Sequence, residues 1–200
     1  MNKTMMMSAF SLLLSTQVSA VPYESPLFED FETKTTTIRH TGWHHTAYDG
    51  FIYQLYLRNK NNDISTYKFK HKPIQSINHR LSFSQNDPIQ INLDPSHGGF
   101  EYDYDCDEEQ VVISVNYEKR GSFHDDSVIG FRCRQLKSYD PKVKNIQLVG
   151  EEIVRVYDGT WRGCPIDQFM TGMIFTQNAF DDLHIYAVKC RRLRIEGEID

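Results

Sequence analysis

The chain has 200 residues, 12% of them aromatic and 24% charged, with a formal net charge of −5. That length suits one domain, or one set of repeats around a shared core, and the mild acidity argues against a nucleic-acid partner. No Gly-x-Ser-x-Gly elbow, His-Glu-x-x-His pair, P-loop or dinucleotide-binding glycine pattern occurs, so the chain reads as non-enzymatic, without cofactor or metal.

Residues 1–20 have the form of a secretory leader. Lys3 opens it, a largely apolar run follows from Met5 to Leu14, and Val18-Ser19-Ala20 is a small-residue cleavage site. The run is shorter than the roughly 20 residues that span a bilayer. An exported chain is expected, extracellular or periplasmic, beginning near Val21 and without a transmembrane segment. Next comes a histidine cluster, His40, His44 and His45, around Trp43. It is weighed as a metal site or a sugar platform and read as a turn whose Trp packs into the core. From Phe51 the chain alternates, with Phe51, Tyr53, Leu55 and Leu57 on one face of a strand. A polar loop from Asn59 to Asp63 leads to a second strand, with Tyr67 and Phe69 inward and Lys68, Lys70 and Lys72 outward. Ile89 to Leu93 form a further strand before the turn signal Asp94-Pro95.

Asp103, Asp105, Asp107, Glu108 and Glu109 then surround Cys106. The glycine that a calcium loop requires is missing, which favours a solvated acidic loop. Val111, Ile113, Val115 and Tyr117 alternate with Ser114, Asn116 and Glu118, a second half-buried strand. After a loop containing Asp125-Asp126, Ile129 and Phe131 should point inward and Arg132 and Arg134 outward. Ile153 to Tyr157 precede the turn Asp158-Gly159. The last apolar run starts at Phe169, passes a loop containing Asp181-Asp182, and closes with Tyr186 and Val188 inward and Lys189 and Arg191 outward.

These segments are copies of one another, at a period of about 59 residues. Phe51, Val111 and Phe169 occupy one register; Trp43 and Trp161 each stand eight residues ahead of it. Thr46 falls where Cys106 and Cys164 sit, and His71 where Cys133 and Cys190 sit. The first copy has lost both cysteines together, as disulfide partners would be lost. Of the three pairings open to four cysteines, the register favours Cys106–Cys133 and Cys164–Cys190. Bridges between copies and free buried thiols are the alternatives.

The second and third copies resemble the dermatopontin family of extracellular matrix proteins. The carriers are Cys106-x-x-x-Gln110-Val111-Val112-x-x-Val115 with Cys133, and Trp161-x-x-Cys164 with Gly172 and Cys190. The likeness covers about 120 residues when the first copy is included. It departs at Asp126-Ser127-Val128-Ile129-Gly130-Phe131-Arg132-Cys133, where the family's Arg and Trp are absent. The Asp-Asp pair followed by an apolar-basic-Cys ending is also similar to the vitelline membrane outer layer protein I family, which implies a three-sided β-prism. The first resemblance implies a secreted, non-enzymatic role in adhesion or glycan binding.

The expectation is therefore an all-β domain over 21–200 of three tandem repeats, about 28–75, 89–136 and 146–195, with pseudo-threefold symmetry in a prism-like or barrel-like assembly. Its function is expected to be recognition of extracellular polysaccharide or a glycosylated surface, through a basic face of Lys68, Lys70, Lys72, Arg132, Arg134, Lys189 and Arg191. The alternative is a matrix or envelope component, or an inhibitor of another protein, without sugar affinity.

Overall fold

The computed structural model describes residues 33–46, 50–60, 63–74, 81–93, 101–118, 127–165, 167–177 and 183–197. Residues 1–20, expected to be a leader, Asp94-Pro95 and both Asp-Asp pairs lie outside them. The described chain is almost entirely β, without an α-helix, and its antiparallel sheets curl into half-barrels. Among the described residues no helix is long and apolar enough to cross a membrane. The strands are β1 Lys34–Ile38, β2 Gly42–His45, β3 Gly50–Lys60, β4 Asp63–Pro73, β5 Leu81–Phe83, β6 Ile89–Asn92 and β7 Glu101–Asp105. They continue with β8 Gln110–Glu118, β9 Ser127–Ser138, β10 Val143–Arg155, β11 Trp161–Gly163, β12 Gln168–Gln177 and β13 Leu183–Gly197.

Three hairpins, β3–β4, β8–β9 and β12–β13, form the centres of three sheets. Their apolar, β-branched and aromatic residues fit a pleated surface with a buried face. The second strand of each hairpin takes its neighbour from the chain just before that hairpin. β1 lies on β4, β5 and β6 lie on β9, and β10 lies on β13. The first strand takes its neighbour from elsewhere. β2 lies on β8, β7 on β12 and β11 on β3. Each of β2, β7 and β11 thus leads into one hairpin while hydrogen-bonding to another.

The registers agree in detail. Trp43 faces Asn116, Asp103 faces Ile174 and Trp161 faces Tyr56. Those partners stand five residues beyond Val111, Phe169 and Phe51 respectively. The backbone N–H groups of Thr46, Cys106 and Cys164 donate to the carbonyls of Ile113, Thr171 and Tyr53, at 3.1, 2.8 and 2.8 Å.

The sequence alternation holds only beyond a β-bulge. Tyr53, Ile113 and Thr171 are each an extra residue in the first strand of a hairpin, facing a gap in the register of the second. An inserted residue reverses the phase of the strand that follows. Ile52, rather than Phe51 or Tyr53, therefore joins Leu55 and Leu57 in the main core, and Val112 likewise joins Val115 and Tyr117. Phe51, Val111 and Phe169 meet in a second core with Ile113, Ile74, Leu136 and Ile195. Further bulges at Ile129 and Tyr186 correct the inward assignment of those two side chains. Both are half-buried, and Val128 and Ile185 fill the core in their place.

Two disulfides, Cys106–Cys133 and Cys164–Cys190, close spans of 27 and 26 residues, as the register favoured, and no free cysteine is present. Each ties the approach to a hairpin to that hairpin's second strand, a constraint worth about 3 kcal/mol in the chain-entropy account. In the first unit the Thr46 hydroxyl donates to the Gly50 carbonyl at 2.7 Å, and His71 is buried, sharing a 3.3 Å hydrogen bond with Thr36.

Candidate functional site

The position just before His71, Cys133 and Cys190 holds a cation in every hairpin: Lys70, Arg132 and Lys189. Its neighbours on β4, β9 and β13 point into the core, so strand alternation turns it toward the outer face of the sheet. Directly across the first strand of each hairpin stand Gln54, Ser114 and Gly172, and beyond these Gly163, His45 and Asp105. Two residues along that edge strand lie Trp161, Trp43 and Asp103. The cation reaches diagonally to that last residue in all three cases.

The chemistry then diverges. The Lys70 ammonium lies 4.5 Å from the Trp161 ring centroid and donates to Gln54 Oε1 at 3.2 Å. The Arg132 guanidinium lies 4.0 Å from the Trp43 centroid and donates to Gln90 Oε1 at 3.1 Å. An aromatic face attracts a cation through its quadrupole, by about 0.5–1 kcal/mol where exposed, without cancelling its charge. Lys189 instead bonds the Asp103 and Asp105 carboxylates at 2.6 and 2.7 Å, with Glu151 4.0 Å away, and is only 4 % exposed. Burial alone opposes its charge, but the two aspartates outweigh it and hold the ammonium above the ordinary lysine range. Gly172, lacking a side chain, leaves the space over which Lys189 reaches Asp105: a Cβ there would stand 2.7 Å from Asp105 Oδ1.

The expected basic residues fall on three different sheets: Lys68, Lys70 and Lys72 on β4, Arg132 and Arg134 on β9, Lys189 and Arg191 on β13. Lys68 lies 5.6 Å over Tyr56 and Arg134 5.5 Å over Phe83. Lys72 is buried to 6 % exposure over Tyr53, and desolvation lowers its pKa. Arg191 donates to Glu151 at 2.9 Å. Lys72 and Lys189 are therefore not solvent-facing. Charge at these two positions is held against the protein rather than displayed.

Two further expectations change. Trp43 and Trp161 stand half-buried on outer sheet faces rather than in the core; His44 is the residue that turns inward, donating from Nε2 to the His40 carbonyl at 2.8 Å. Asp103 and Asp105 belong to β7 and bind Lys189, so only part of the acidic stretch is a loop. His45, beside Trp43, is kept below the usual histidine pKa by burial and then by Arg132 and His44. Sequence reasoning found both tryptophans and all three cations but missed their pairing across the sheets. The signal was present in the fixed eight-residue lead of each Trp over its hairpin, which an edge strand in another sheet explains.

The outer face of the sheet β1-β4-β3-β11 is the most uniform. Thr35 and Thr37 of β1, Lys68 and Lys70 of β4, Gln54, Tyr56 and Arg58 of β3, and Trp161 of β11 share it. No carboxylate occurs among these positions. The Tyr56 and Trp161 rings stand 5.4 Å apart, and Arg162 lies 5.0 Å over the exposed Tyr157 at the edge. The chain matches no family model, no curated protein and no solved structure.

Proposed function

We propose that this is an exported, non-enzymatic binding module for anionic polysaccharide, or for a surface that displays it. The observation that carries the proposal is the outer face of β3, β4 and β11. There Lys70 and Lys68 are held over Trp161 and Tyr56, among hydroxyl and amide side chains and without a facing carboxylate among the described residues. Rings offer flat apolar contact to sugar C–H faces, amides and hydroxyls offer hydrogen bonds, and uncompensated cations offer charge to sulfate or carboxylate. The two disulfides are consistent with an oxidising compartment and support export.

The same proposal includes a triplicated unit related to the dermatopontin-like chains, arranged about a pseudo-threefold axis. The relation rests on the cysteine spacings of the sequence alone, and the arrangement is supported by the cyclic strand exchange, the shared registers of Trp43, Asp103 and Trp161, and the matched bulges at Tyr53, Ile113 and Thr171.

A glycan array carrying sulfated, uronic and neutral saccharides tests the function. Binding to the anionic set is expected, weakened by added salt as exposed charges are screened. Lys68→Gln with Lys70→Gln should lower the affinity at least tenfold, about 1.4 kcal/mol. Binding to no saccharide, or affinity unchanged by the double substitution, would overturn it.

A further inference from the structure

We infer that the chain carries two separate sites for anionic saccharide, the second built from Trp43, Arg132 and Gln90 on the sheet of β8 and β9. This rests on the function proposed above and extends it from one face to a bivalent module. The second site repeats the composition of the first: a half-buried Trp, a cation against its ring, and a side-chain amide bonded to that cation. In the first these are Trp161, Lys70 and Gln54; in the second, Trp43, Arg132 and Gln90. Gln90 also donates from Nε2 to Asn92 Oδ1 at 2.6 Å, so a pair of exposed amides lies beside the guanidinium. A planar guanidinium fixed by a ring and an amide is oriented for two parallel bonds to a sulfate or carboxylate.

The corresponding position of the last hairpin does not make a third site. Asp103 replaces the Trp, two carboxylates take the ammonium of Lys189, and the local charge is negative rather than positive. An anionic ligand is repelled there. A repetitive polyanion long enough to span two sites on different sheets of one chain is held at two points, which multiplies a weak single-site affinity through effective concentration.

Titration calorimetry of the full chain at low salt tests this, using a heparin-derived tetrasaccharide and, in a second arm, a trigalacturonate. Trigalacturonate carries carboxylates alone and the heparin fragment carries sulfates as well, so binding in the heparin arm only assigns recognition to sulfate, and binding in both shows that carboxylate suffices. About two tetrasaccharides should bind per chain. Arg132→Gln should reduce that to about one, Lys70→Gln should do the same, and the double variant should bind none. Should Arg132→Gln lose the native circular dichroism, Gln90→Ala decides instead, by a several-fold weakening of one of two resolved binding steps. One ligand per chain in the unsubstituted protein, a stoichiometry unaltered in folded Arg132→Gln, or two binding steps of unaltered affinity in Gln90→Ala would overturn the second site while leaving the first. Absence of heat with either saccharide would instead overturn the function on which this inference rests.

Discussion

Tyr67 is buried to 1 % exposure, its ring stacked 6.1 Å from that of Tyr117, and its hydroxyl has no hydrogen-bond partner among the described residues. The same burial pushes its pKa up, because a phenolate has no water there. An unpaired buried hydroxyl costs about 1–3 kcal/mol. Tyr67→Phe keeps the stacked ring and removes the unpaired atom, so the urea midpoint should hold or rise, by up to about 1 kcal/mol in stability. A clear loss would mean that the hydroxyl is bonded. His71 gives a second test. Burial, and then Lys34, lower its pKa, so the folded state holds the neutral imidazole more strongly than the unfolded chain does. The unfolded chain binds the proton more readily, near pH 6.5. Stability from this residue is full above that value and is lost as pH falls from there through the lower folded pKa. Denaturant midpoints should therefore drop between pH 7.5 and 5.5, roughly the window of histidine titration. His71→Gln should flatten part of that slope, with His45, whose pKa is also lowered, accounting for another part. An unchanged slope in His71→Gln would place the titration elsewhere.

Among the strands, β11 shows how a three-residue element is fixed by a single missing side chain. A Cβ at Gly163 would land on the Tyr53 carbonyl, the group that accepts the Cys164 N–H at 2.8 Å. Gly163→Ala must push β11 away from β3, at a cost of about 1–3 kcal/mol for overpacking. Because β11 carries Trp161, the variant should also weaken anionic-saccharide binding at Lys70 while sparing the Arg132 site. Thermal melting and Trp fluorescence would check both effects, and an unperturbed melt would show that β11 has room. The element scale is also where the sequence was only partly legible. The hairpins announced themselves by alternation, and the Asp158-Gly159 turn by a glycine that stands at φ 66°. The bulges did not. Their trace in the sequence is the adjacent apolar pair Phe51-Ile52, Val111-Val112 and Phe169-Met170, both members of which are fully buried. Neighbours on a strand point to opposite faces, so such a pair requires a core on each side at that point. Alternation with one buried face cannot represent that. The outer-face pairings of Lys70 with Trp161 and Arg132 with Trp43 were illegible for another reason: each joins residues of different units, and periodicity describes one unit at a time.

For the molecule as a whole, the decisive question is whether the three units are equivalent, and the first unit allows a direct experiment. Thr46 and His71 occupy the places of Cys164 and Cys190, 25 residues apart in the chain where the bridged pairs are 26 and 27 apart. The surroundings correspond as well. Thr46 donates its N–H to the bulge residue Ile113 as Cys106 does to Thr171 and Cys164 to Tyr53, and His71 faces Ile52 as Cys133 faces Val112 and Cys190 faces Met170. If the units are equivalent, the double substitution Thr46→Cys and His71→Cys sets two sulfurs at bridging distance without moving the backbone. Closing a loop of that length is worth about 3 kcal/mol, and losing the Thr46 and His71 hydrogen bonds returns about 1–2 kcal/mol of it. The oxidised variant should melt several degrees higher, at about 2–4 °C per kcal/mol for a domain of this size. Reduction should reverse the gain, and non-reducing peptide mapping should find 46 joined to 71 alongside the two native bridges. The same substitution removes the His71 proton site, so the pH slope should flatten as it does in His71→Gln. If the new thiols stay free under oxidation while the native bridges form, position 46 does not approach position 71 as the other pairs approach. The equivalence would then fail at the unit that carries Lys70, and the structural correspondence of the Lys70 and Arg132 sites would lose that support, leaving each to be judged on its own contacts.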